Sequence, residues 1–172
     1  MTHINIEIKA KCKEHEKVRQ ILKQNLAEYH GLDHQIDTYF NIAQGRLKLR
    51  EGNIENALIH YAREKQSGPK QSNVTLYASQ PNSSLKEVLT KSLGVLSVVD
   101  KKREIYFIGN VKFHVDTVKD LGTFVEIEAI DKDGTIGKEK LLEQCGFYTR
   151  LFEIKEEDLL NCSYSDMVLE RK

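Results

Sequence analysis

The sequence has little that would tie it to a wall, a membrane or an oxidising compartment. Among 172 residues there are three cysteines, Cys12, Cys145 and Cys162, an odd number at scattered positions with no metal-ligand pairing. That usage fits reduced structural thiols and a cytoplasmic setting rather than a disulfide framework. Two prolines, Pro69 and Pro81, and no Ser/Gly-rich tract leave no linker, so one continuous domain over 1–172 is expected. No apolar run approaches the roughly 18 residues of a membrane span, and no signal-peptide segment is expected at the start. Charge of one sign is missing as well: 26 Lys and Arg equal 26 Asp and Glu. Bulk charge therefore selects no partner, and nucleic-acid binding by that route is disfavoured. What remains is a chain with 40% hydrophobic residues, long enough to bury roughly 70% of its unfolded surface without a disulfide or metal.

Strand patterns dominate. Ile4 to Lys13 alternates without a fault, with Ile4, Ile6, Ile8, Ala10 and Cys12 on one side and Asn5, Glu7, Lys9, Lys11 and Lys13 on the other. Val18, Ile21, Leu22, Leu26 and Tyr29 then recur at helical spacing, so a helix is expected from about Glu14 to Tyr29, stopped by Gly31. Further strands are expected at Gln35 to Asn41, Arg46 to Glu51, Ala57 to Glu64, Asn73 to Ser79, Leu96 to Ile108, Val111 to Thr117 and Thr123 to Asp131. Gly109-Asn110 reads as a hairpin turn between two of them. Shorter helices are expected at Ser84 to Leu93, Gly137 to Cys145 and around Glu156 to Leu160. The class is α+β with a mostly antiparallel sheet.

The polar faces of these strands carry the functional signal. Residues two apart share a face, which groups Glu7, Lys9 and Lys11; Asp37; Lys48 and Arg50; Arg63; Lys101 and Arg103; Lys112, His114 and Asp116; and Glu126 with Glu128. The opposite faces carry Ile4, Ile6, Ile8, Leu47, Leu49, Val111, Phe113, Val115, Val125 and Ile127, which call for cover by the amphipathic helices. Taken one at a time, each charged face reads as the solvated side of a sheet. If eight strands close into a barrel, the faces converge on one interior, where clustered cations repel unless anions share the space. Lys and Arg would then hold phosphate oxygens and the carboxylates a hard divalent cation.

In order and spacing these segments resemble the CYTH superfamily of triphosphate tunnel enzymes. Asn5-Ile6-Glu7-Ile8-Lys9 sits where that family has Glu-x-Glu-x-Lys, and Gly45-Arg46-Leu47-Lys48-Leu49-Arg50, Lys101-Lys102-Arg103 and Phe124-Val125-Glu126-Ile127-Glu128 look like later strands. The stretch Ser67-Gly68-Pro69-Lys70-Gln71-Ser72 is similar to the loop after its fourth strand, and Ser163-Tyr164-Ser165-Asp166-Met167 is most like the class IV adenylate cyclase branch. The resemblance implies an eight-stranded antiparallel closed β-barrel with a charged lumen and helices outside. It implies phosphate contacts from Lys9, Lys48, Arg50, Arg63, Lys101, Arg103 and Lys112, with Lys11 less central. Mg²⁺ or Mn²⁺ would be held by Glu7, Glu126 and Glu128, with Asp116, Asp37 and Asn5 as further candidates. Asn5 departs from the family's first glutamate and brings no charge, so its corner should hold metal more weakly. Lys9 or Lys11 could help activate a nucleophile. His114 reads either as an acid–base group or as a lumen residue bonded to phosphate or Asp116. Lys70 and Ser72 read either as a loop closing over the mouth or as a plain connection, while Tyr39, Tyr61 and Tyr164 read as packing residues. The activities implied are conversion of ATP to cyclic AMP and pyrophosphate, or hydrolysis of a thiamine, nucleoside or inorganic triphosphate. A non-catalytic polyphosphate- or nucleotide-binding module is the third reading, and a homodimer is a family-level expectation.

Overall fold

A computed structural model of the chain describes residues 2–63, 66 and 68–172. Glu64, the expected end of the fourth strand, and Ser67 in the following loop lie outside the described residues. Eight strands, β1 (Thr2–Lys11), β2 (Glu28–Phe40), β3 (Arg46–Glu51), β4 (Asn56–Arg63), β5 (Lys70–Ala78), β6 (Val95–Ile108), β7 (Val111–Val118) and β8 (Gly122–Asp131), close into a barrel of order β1-β5-β4-β3-β2-β6-β7-β8. Every neighbouring pair is antiparallel. Four helices lie outside: α1 (His15–Gln24), α2 (Leu85–Leu93), α3 (Lys138–Leu151) and α4 (Tyr164–Glu170), with a short 3₁₀ turn at Glu156–Asp158. No helix among the described residues is long and apolar enough to cross a membrane.

The expected strands are all present, and their alternation explains the barrel's two-sided chemistry. Outward side chains of β1, β7 and β8, including Ile6, Ile8, Phe113, Val115, Val125 and Ile127, form one core with Val18 and Leu22 of α1 and Leu141, Cys145 and Phe152 at α3. Burial of this surface, at roughly 25 cal/mol per Å² of apolar area, favours the fold, and a second cluster, including Val99, Val118, Phe124 and Tyr164, packs against Met167 and Val168 of α4. The expected helical cover does not extend to all the outward residues: Leu47 on β3 is half-buried and Ile4 is 40% exposed.

Several boundaries differ from the sequence pattern; α3, expected to stop at Cys145, runs on to Leu151. Leu26 takes a left-handed conformation at φ 58° just after α1, so Ala27 to Tyr29 leave the helix and Tyr29 pairs with Tyr106 across β2 and β6. Gly31 is then no helix stop but a residue of β2 beside a register shift, and β2 begins seven residues earlier than its alternation suggested. Lys70 and Ser72 belong to β5, not to a loop, and both are buried. Gly109, at φ 57°, makes the expected turn between β6 and β7.

The chain's tail crosses one end of the barrel. Ser163 caps α4 through a reciprocal capping box with Asp166. From there contacts run to several strand ends: Leu160 N–H donates to Lys9 O at 2.9 Å, Lys70 Nζ to Leu160 O at 2.8 Å, and Arg46 Nη2 to Asp166 at 2.7 Å. Ser165 and Ser97 hydroxyls bond at 2.5 Å, and the Tyr164 ring packs 5.0 Å from Phe124.

Candidate active site

Inside the barrel the inward positions of the strands enclose a cavity of about 380 Å³. That volume lies within the range of small-molecule sites, roughly 300–1,000 Å³. Its wall brings together Asn5, Glu7 and Lys9 of β1, Lys48 and Arg50 of β3, Arg63 of β4, Ser72 of β5, Lys101 and Arg103 of β6, Lys112 and His114 of β7, and Glu126 and Glu128 of β8. Tyr164 lies at the end crossed by α4, while His3, Ile54, Glu55, Asn56 and Leu76 lie towards the other end, the mouth. Lys11 is the exception among the expected phosphate contacts. It is exposed at the end of β1 and takes no part in this wall.

One sector is organised around Asp37, which is fully buried. Arg50 donates to it through Nε and Nη2, each at 2.9 Å, Lys101 Nζ lies at 2.6 Å and Lys48 Nζ at 3.4 Å. Burial alone would raise this carboxyl, but Arg50, Lys101 and Lys48 hold it well below the usual aspartate range. Asp37 thus stands as the counter-ion of three cations. Lys48 also sits 5.5 Å from the Tyr39 ring and 5.4 Å from the Tyr61 ring, and burial pushes the Tyr39 phenol up to about 12.

A second knot joins β6, β7 and β8. Arg103 grips Asp116 with Nε at 2.8 Å and Nη2 at 2.7 Å, and Tyr164 donates its hydroxyl to the same carboxylate at 2.8 Å. Glu126 meets Arg103 Nη2 at 3.3 Å, Lys9 Nζ at 3.6 Å and His114 Nδ1 at 3.1 Å. His114, Asp116 and Glu126 each bring an atom within 4.8 Å of the others, a spacing a metal could use. Asp116 accepts three hydrogen bonds, two from Arg103 and one from Tyr164, and Glu126 pairs with Arg103, Lys9 and His114, so the trio is embedded in ion pairs. Burial first, and then Arg103, lower the His114 imidazole to about 4, which leaves it neutral near pH 7. With Nδ1 donating to Glu126, its buried Nε2 has no hydrogen-bond partner. Burial, outweighing the nearby Glu126, also lowers the Lys9 ammonium, whose Nζ lies 3.8 Å over the Tyr164 ring.

The third sector is acidic. Glu7 pairs with Arg63, and Asn5 Nδ2 donates to Glu128 Oε1 at 2.5 Å. Burial, reinforced by the like charges of Glu7 and Glu126, raises the Glu128 carboxyl despite Lys112. The buried Asn5 Oδ1 has no hydrogen-bond partner. Oxygen donors from Asn5, Glu7, Glu126 and Glu128 on adjacent strands, one of them an unsatisfied amide oxygen and another a carboxyl resisting ionisation, suit a hard divalent ion such as Mg²⁺ or Mn²⁺.

The structure also brings in residues that the strand pattern does not reveal. Lys70, read either as part of a loop over the mouth or as a plain connection, is a strand residue 1% exposed, and burial and Arg63 draw its ammonium down to about 8. Tyr164, expected to pack, faces the ion pairs through its hydroxyl. The Ser163–Asp166 capping box was the available sign of a helix there. Glu55, in the β3–β4 turn, binds Lys112 and Arg50, and no periodicity could have placed a turn residue inside the barrel.

The profile of the CYTH domain matches residues 3–162. Among solved structures, a Pyrococcus horikoshii protein is similar at 23% identity and TM-score 0.78, covering 95% of this chain and 99% of that one. A candidate adenylate cyclase from Vibrio parahaemolyticus is similar at 20% identity and TM-score 0.74, covering 97% and 98%. A Hippeastrum protein, a candidate adenylyl cyclase with a dominant triphosphatase activity, is similar at 13% identity and TM-score 0.65, covering 99% and 96%. No curated protein sequence matches the chain.

Proposed function

Since the chain belongs to the CYTH domain family, we propose that it is a divalent-metal-dependent enzyme that binds a triphosphate lengthwise in the barrel and breaks its phosphoanhydride chain. The observation that carries this reading is the convergence of Lys9, Lys48, Arg50, Arg63, Lys101, Arg103 and Lys112 with four glutamates on one cavity of about 380 Å³. These seven cations face the carboxylates of Glu7, Glu55, Glu126 and Glu128 with Asp37 and Asp116 behind them, and Glu128 resists ionisation, so the lumen keeps a positive excess that a polyanion would offset.

In this reading the terminal phosphate sits at the end crossed by α4, against Lys9, Lys48 and Lys101. Arg63, Arg50 and Arg103 flank the chain, where a planar guanidinium matches two phosphate oxygens. Asn5, Glu7, Glu126 and Glu128 would hold Mg²⁺ or Mn²⁺, which when bound supplies Lewis-acid charge to the phosphate oxygens. The protein need supply no nucleophile, because phosphoryl transfer proceeds largely through positioning and stabilisation of developing charge. Asp37 and Asp116 keep the guanidinium and ammonium groups aimed. At the end assigned to the terminal phosphate, Lys9, its ammonium already lowered by burial, is the candidate to accept the proton of a water attacking there. Turnover unchanged in Lys9→Ala would exclude that role.

The first reaction to test is cyclisation of ATP to cyclic AMP and pyrophosphate. It is favoured by the acidic sector, whose Asn5 and Glu128 lie on the mouth side of Lys9 and Glu126 and so beside the α-phosphate of a chain seated terminal end first. The second is hydrolysis, the dominant activity of the Hippeastrum protein. It is favoured by the placement of Lys9, its ammonium lowered by burial, at the end crossed by α4, beside the position assigned to the terminal phosphate. Incubation with Mg²⁺ or Mn²⁺ and a panel of ATP, thiamine triphosphate and inorganic tripolyphosphate, resolving orthophosphate, pyrophosphate and cyclic nucleotide, separates the two. Binding without any product would support the module reading, and neither binding nor product would overturn the proposal.

A further inference from the structure

The β3–β4 turn is folded into the mouth rather than away from it. Asp33, fully buried on β2, accepts from Ile54 N and Glu55 N, both at 2.9 Å, and from Gln35 Nε2 at 2.8 Å. Gly52 passes so close that a Cβ there would lie 2.7 Å from both Asp33 carboxylate oxygens. The turn is therefore fastened to a carboxylate inside the barrel and cannot swing out without stranding it.

The consequence is a fixed charge at Glu55. Its Oε1 accepts from Arg50 Nη1 at 3.2 Å and from Gln35 Nε2 at 3.1 Å, while its Oε2 takes Lys112. Arg50 and Lys112 stand on β3 and β7, three strand steps apart round the barrel, so one carboxylate spans the β2–β6 side of the mouth. Both cations are neutralised by the protein itself. The cations nearer the far end, Lys9, Lys48 and Lys101, have no contact with it in the structure's hydrogen bonds and ion pairs.

We propose that Glu55 is a specificity residue that sets the length of phosphate chain the barrel accepts. The inference rests on the triphosphate reading above. A chain seated with its terminal phosphate at the far end brings a fourth phosphate up to the mouth. There it meets a fixed carboxylate, with Arg50 and Lys112 already occupied, and like charges in a partly desolvated site repel strongly. A hydroxyl-bearing organic group in the same place can instead donate a hydrogen bond to Glu55. The substrate class selected is thus a triphosphate, free or esterified to such a group, in preference to longer linear polyphosphate.

The test compares inorganic tripolyphosphate with a longer linear polyphosphate of defined length, each titrated with Mg²⁺ into the intact protein and read by its thermal midpoint. The wild type is expected to bind the shorter chain about tenfold or more tightly, as expected for one unfavourable charge contact in a partly buried site. Glu55→Gln should bring the ratio near unity, and Glu55→Asp, which keeps the charge, should retain the preference. A ratio unchanged in Glu55→Gln overturns the proposal. If Glu55→Gln does not fold, the other two proteins decide: equal affinity of the wild type for both chains overturns the assignment, and a preference kept by wild type and Glu55→Asp supports it. Failure of the wild type to bind either chain would instead overturn the triphosphate reading on which it rests.

Discussion

Two buried carboxylates on the same inner wall meet opposite fates. Asp37 is surrounded by Arg50, Lys101 and Lys48 and stays ionised far below its ordinary range. Glu128 has an amide, Asn5, as its close partner and two glutamates nearby, and its carboxyl resists ionisation. Asp37 in the β2–β3–β6 sector is fully paired by the protein alone, whereas on β1 and β8 Glu7 and Glu126 take Arg63, Lys9 and Arg103 and Glu128 is left with the Asn5 amide. Buried carboxylates of opposite behaviour are told apart here by their neighbours, not by their depth.

The largest expected effect comes from undoing the pairing of Asp37. Asp37→Asn strands three cations in a buried site and should cost roughly 3–5 kcal/mol in urea unfolding. The sign with pH follows from the depressed folded value. The stability Asp37 contributes is present above its ordinary value of 3.8 and lost as pH falls below it towards the folded value, so the variant should show a shallower acid decline. An unchanged acid limb would mean the three cations are held by something else.

Next comes Asn5→Glu, which adds charge beside Glu128. Without metal, the new carboxylate faces Glu128 and should lower stability by about 1–2 kcal/mol, while Mg²⁺ affinity and activity should rise about tenfold. Weaker metal binding would remove Asn5 from the coordination shell. Glu128→Gln works the other way, with metal affinity falling about tenfold and the metal-free protein gaining slightly in stability. Because the folded Glu128 value is raised, the metal-free wild type should lose stability as pH climbs above 4.5, and the variant should lack that slope.

The smallest effect is expected from His114→Gln. With the imidazole held down to about 4, no limb of the activity profile between pH 6 and 8 belongs to it, so the profile's shape there should stay the same. A shifted limb would restore His114 as an acid–base group.

How much of this was legible depends on whether a residue's role follows from strand parity. Lys9, Lys101, Arg103 and Glu126 were found because every second residue of a barrel strand must face inward. Lys11 obeys the same alternation, yet β1 runs out beneath it, and periodicity carries no information about where a strand ends. Lys70 was misplaced because Gly68-Pro69 marks a turn that stops one residue before it. Asp37 and Glu128 could not be distinguished at all, since their difference lies in neighbours from other strands. Glu55 reaches the lumen through hydrogen bonds from its turn to Asp33, a contact 22 residues away in sequence.

The α4 crossing has a kinetic corollary. Among the described residues, Tyr164, Leu160 and the Arg46–Asp166 pair cross one end of the barrel, beside a second cavity of about 320 Å³ that shares Tyr61 and Arg63 with the first. With the mouth as the exit, the fragment nearest the rim departs first, and the inorganic remnant at the bottom must wait for the passage to clear. That remnant should consequently inhibit competitively, whereas the organic product should not.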